Sequence, residues 1–90
     1  MIKINKSKIR REVAKKLADA FIASGEEYDC AAAVFSHQRK QALEIAKSLL
    51  SQGINLSKSN YSFAFCGLMA DMFLADATKL VHKHYYPGTE

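Results

Sequence analysis

Ile9, Val13, Leu17 and Phe21 recur every four residues, with Ala14, Ala18 and Ile22 beside them. Arg11, Glu12, Lys15, Lys16 and Asp19 fall mostly on the opposite side. This 3.6-residue period predicts an amphipathic helix over residues 7–23, with Asn5 or Ser7 as its N-cap. Ser24-Gly25-Glu26-Glu27 then both stops that helix and starts another. Gly25 suits the left-handed position after a helix, whereas Ser24 with Glu27 matches the S-x-x-E capping box of a following one. The two roles compete, and the sequence leaves the choice open. A second helix is predicted over 26–52, ending at Gly53, with Glu26, Glu27 and Asp29 in a first turn where the helix dipole favours acids.

Ser36-His37-Gln38-Arg39-Lys40-Gln41 spans more than a turn of that helix without an apolar residue. No Gly or Pro marks a break there, so one continuous helix is the favoured reading; a break near Ser36 would make four helices in all. Residues 54–58 form the next connection. Ser57 or Ser59 caps a last helix over 60–85, closed by Pro87-Gly88, with Lys79, His82, Lys83 and His84 suiting its C-terminal end. Short connections place consecutive helices antiparallel, which predicts an all-α bundle of three helices running up, down and up.

Composition agrees with this. Apolar residues make up 49% and charged residues 24% of the 90, with one proline and four glycines. That excludes disorder and a many-turned β fold, and fits one domain with one core. Residues 1–6 are expected to be a flexible basic N-terminus and 86–90 a short tail. No secretory signal and no stretch of membrane-spanning length is read, so a soluble, cytoplasmic protein is expected.

Charge changes the picture more. Residues 1–24 carry a net +5 and residues 25–90 a net −1, so the overall +4 belongs to one end of the chain. Bases near a helix start oppose its dipole, whereas free N–H groups plus fixed positive charge attract anions. Lys6, Lys8, Arg10, Arg11 and Lys15 are therefore the candidate partner-binding residues, facing an acidic protein surface or nucleic acid. Nothing supports a helix-turn-helix: aligned on Gly25 or Gly53, that pattern puts polar residues at core positions. No zinc spacing and no basic zipper occurs. An Ala-rich apolar face is weak for lying on a membrane.

Between Tyr61 and Ala75 the polar side chains are Ser62 and Asp71 alone. A helix apolar on all sides is either central to its own fold or covered by a second chain. Phe63, Phe65, Leu68, Met69, Met72 and Phe73 are accordingly the expected self-association residues of a homodimer. Cys30 and Cys66 sit in apolar runs and are expected as buried, reduced thiols. His37, His82 and His84 read as solvated helix-face residues, since His82 and His84 diverge by about 200° and do not chelate a metal together. No catalytic constellation, phosphate loop, metal site, cofactor motif or small-molecule substrate is indicated. The expectation is a non-enzymatic helical interaction module that self-associates and presents its basic helix to an anionic partner, with a nucleic-acid-binding module as the alternative.

Overall fold

The computed structural model describes residues 5–56 and 65–88, apart from the side chain of Phe65. Three helices pack together, α1 (Lys6–Ala23), α2 (Ala31–Ser51) and α3 (Phe65–Tyr85), with no strand among the described residues. Asn5 caps α1: its backbone is extended and its Oδ1 accepts from the Lys8 N–H at 3.0 Å. Ordered helix thus reaches back into the terminus expected to be flexible. Ala14, Leu17, Ala18 and Phe21 form the buried stripe, with Val13 and Ile22 half-buried beside it.

Ser24 belongs to the end of α1 and not to the start of α2. Its Oγ donates to the Phe21 carbonyl at 2.6 Å, and Gly25 follows with φ +75°. The Ser24 oxygen accepts from the Glu26 N–H at 3.3 Å, one residue short of the Glu27 N–H that a capping box needs, and the chain leaves the left-handed turn in a non-helical run. α2 therefore begins five residues later than the pattern predicts, after the extended Cys30, and Glu26, Glu27 and Asp29 precede its first turn. This delay also corrects the expectation for Cys30, which is exposed in the connection and not buried on a helix face.

α2 runs unbroken through Ser36–Gln41. The polar stretch contains a core position after all: Val34, Gln38, Ala42 and Ala46 are all buried and four residues apart. Gln38 fills the gap with its aliphatic stem, and no buried side-chain nitrogen or oxygen among the described residues lacks a partner.

α3 is the central element. Met69, Ala70, Phe73, Leu74, Ala77 and Val81 are all fully buried, an arc wide enough to meet both neighbours. Against α2 it runs antiparallel: the Cys66 Sγ lies 3.5 Å from the Leu43 carbonyl, and Arg39 donates to Asp71 at 3.0 Å. Against α1 it runs parallel, with Arg10 on Asp76 toward one end and, at the other, Tyr28 joining Phe21 of α1 to His82 and Tyr85 of α3. Five alanines in the core cluster (Ala18, Ala42, Ala46, Ala70 and Ala77) let the helices approach closely.

The central place of α3 corrects part of the self-association reading. Met69 and Phe73 are covered within the chain and are not available to a second one. Met72 is half-buried against the core, while Leu68 is exposed. Phe63, the Phe65 side chain and the predicted caps at Ser57 and Ser59 lie outside the described residues.

Candidate functional site

Along α1, the residues Ser7, Arg10, Arg11, Ala14, Lys15, Ala18, Asp19 and Ile22 repeat at three- and four-residue steps and form one continuous face. On α3, Asp76, Lys79, Leu80 and His84 do the same over two turns. Between these faces lies a solvent-open groove of about 750 Å³. Its floor is apolar and low, because Ala14 and Ala18 carry only a methyl group, and Ile22 and Leu80 rise beside it. Leu80 is 41% exposed, about as much as Leu68 on the same helix, and here it stands among charged side chains.

The rim carries the charge. Arg10 reaches across the groove's end to Asp76, its Nε and Nη2 donating to the two carboxylate oxygens at 2.5 and 3.2 Å. This fork ties α1 to α3, and the hydrogen bond that the guanidinium donates to Asp76 raises its pKa above the ordinary value. Arg10 is thus already matched. Arg11, Lys15 and Lys79 line the same groove and enter no ion pair among the described residues. Asp19 is the acid on the rim that has no base bound to it.

Of the five bases singled out from the sequence, the fold brings Arg10, Arg11 and Lys15 to the groove. Lys6 and Lys8 do not line it; Lys8 stands 4.0 Å from Glu12 on an exposed stretch of α1. Lys79, Leu80 and Ile22 are the residues that sequence reasoning missed. Lys79 reads there as a charge suited to the end of its own helix, and only the parallel pairing of α1 with α3 brings it to the same groove as Lys15.

The histidines are exposed as expected, but they are not solvated without partners. The His37 ring lies 5.9 Å from that of Phe21, with its Nε2 3.3 Å from the Glu26 carboxylate. His82 Nδ1 lies 3.3 Å from the Tyr28 hydroxyl, and His84 packs edge-on to Tyr85. Tyr28 stacks on Tyr85 with centroids 5.9 Å apart and also meets Phe21 and Tyr86. These rings fasten the 24–30 connection over the joined ends of α1 and α3, so Tyr86 belongs to the fold and not to a tail. No cluster of three or more His, Cys, Asp or Glu residues able to hold a metal ion occurs among the described residues, and none of their helices is long and apolar enough to cross a membrane. No family model, curated protein or solved structure matches this chain.

Proposed function

We propose that the chain is a non-enzymatic interaction module whose α1–α3 face engages an acidic protein surface. The observation that carries this reading is the meeting of three uncompensated cations, Arg11, Lys15 and Lys79, around an apolar groove. Cations alone serve solubility as well as binding. Cations around exposed Leu80 and Ile22 make a surface with both the apolar centre and the polar rim of a protein interface. A protein is favoured over nucleic acid because the floor offers methyl groups in place of hydrogen-bond donors, and Asp19, the acid of this face without a base on it, interrupts what an unbroken run of phosphates would meet.

The test is charge reversal at Arg11→Glu, Lys15→Glu and Lys79→Glu together, with partners captured from an extract of the native host with and without nuclease. Wild type should retain a nuclease-resistant protein, and the triple variant should lose it while keeping its helical circular dichroism. Loss of the captured material on nuclease treatment, with affinity for random duplex DNA falling by orders of magnitude between about 50 and 200 mM salt, would instead establish the phosphate-binding alternative.

A further inference from the structure

Building on that reading, we infer that the occupant of the α1–α3 groove is an acidic amphipathic helix, which docks as a fourth helix on the three-helix bundle. The groove has the form that a helix fits. Its α1 wall is one stripe from Ser7 to Ile22, sixteen residues and about 22 Å long, which is some four turns. Its α3 wall repeats at positions 76, 79, 80 and 84, so both walls are ridges of helical pitch. An extended peptide would find no sheet edge here, since the described residues include no strand.

The floor sets how near the occupant comes. Ala14 and Ala18, one turn apart, are buried beneath it and add no bulk at the floor, so the apolar contact falls to exposed Leu80 and half-buried Ile22, which meet its apolar residues from the two sides. The rim sets its charge. Arg11, Lys15 and Lys79 ask for carboxylates on both flanks of an apolar stripe, while Asp19 asks for a base opposite it. The occupant is thus a segment of about four turns with leucine-like residues at i, i+3, i+4 and i+7, flanked by Glu or Asp and carrying one Lys or Arg.

Two synthetic 18-residue peptides of identical Leu, Ala, Glu and Lys composition test this. One gathers its leucines into that stripe; the other spreads them around the helix. Titrated into the isotope-labelled 90-residue chain, the striped peptide should gain helical circular dichroism and shift the amides of Ala14, Ala18, Ile22 and Leu80. The dispersed peptide should bind at least about tenfold more weakly, and Leu80→Gln should cost the striped peptide about tenfold, the effect of withholding half a leucine from burial. Equal binding of both peptides with Leu80→Gln silent would overturn helix docking and leave the acidic-surface reading standing. Failure of both peptides to bind the folded chain would overturn the helix, and unchanged partner capture by the charge-reversed variant would overturn the wider reading separately. Sedimentation as a dimer that protects the Ala14 and Leu80 amides would make a second copy the occupant, and the inference would fall.

Discussion

Replacing Arg10 with Gln separates the two roles that the basic segment combines. The guanidinium spans α1 to α3 through a two-bond fork to Asp76, with side-chain exposures of 47% and 23%. Pairs as exposed as this contribute about 0.2–1 kcal/mol, and the bidentate geometry with the half-shielded carboxylate places this one near the upper end, about 1 kcal/mol. For a domain of this size that is about 4–8 °C in Tm. The remaining bases behave differently. Lys8 and Glu12 are 65% and 67% exposed and 4.0 Å apart, with the base N-terminal, the weaker order. Lys6 and Arg11 have no acidic partner among the described residues, and the helix dipole disfavours positive charge at the start of α1. Lys6, Lys8 and Arg11 changed together to Gln should leave Tm unchanged or slightly raised. Thermal melts of Arg10→Gln, Asp76→Asn and the double variant give the coupling directly. Because the folded pKa of Arg10 is raised, its part of the pair is fully present below the ordinary guanidinium value and is lost only as pH rises through the folded one. Working pH therefore does not limit it from the basic side. An Arg10→Gln melt within about 1 °C of wild type, or zero coupling with Asp76, would refute the cross-helix role.

Cys30 and Cys66 should differ in a thiol-reagent assay: Cys30, exposed ahead of α2, should react within the native state, whereas Cys66, half-buried against the Leu43 carbonyl, should lag until denaturant is added. Phe73→Ala should cost about 3–5 kcal/mol, measured by urea unfolding, because the ring is fully buried; a change below about 1 kcal/mol would mean that α3 is not the central helix.

α1 was legible in the sequence because it carries a clear period, and it was placed to within a residue at either end; the other two were read from their flanking Gly, Ser and Pro. What the sequence blurred were the places where one group had two possible uses. Ser24 satisfies both a helix end and a capping box on paper; its hydroxyl closes α1 on the Phe21 carbonyl, the left-handed Gly25 follows, and α2 starts only after an exposed Cys30. Gln38 reads as polar, yet its stem occupies a core position in step with Val34 and Ala42. The apolar stretch of α3 reads as an interface because a residue count does not say how many neighbours a helix has. Met69 and Phe73 went inward once α1 and α2 both packed on it.

The groove illustrates a different limit. Its α1 half is written in the sequence as the charge asymmetry of the first 24 residues, and Arg11 and Lys15 follow from that alone. Its α3 half is not, since Lys79 is some 60 positions away and acquires meaning only from the parallel register set by Arg10 and Asp76. One ion pair therefore has two consequences. It neutralises one of the five candidate bases, and it ties α3, with Lys79 and Leu80, to the face of α1 that carries Arg11 and Lys15. The proposed binding face thus spends one of its own candidate cations on architecture, which is why a count of basic residues overstates the charge that a partner would meet.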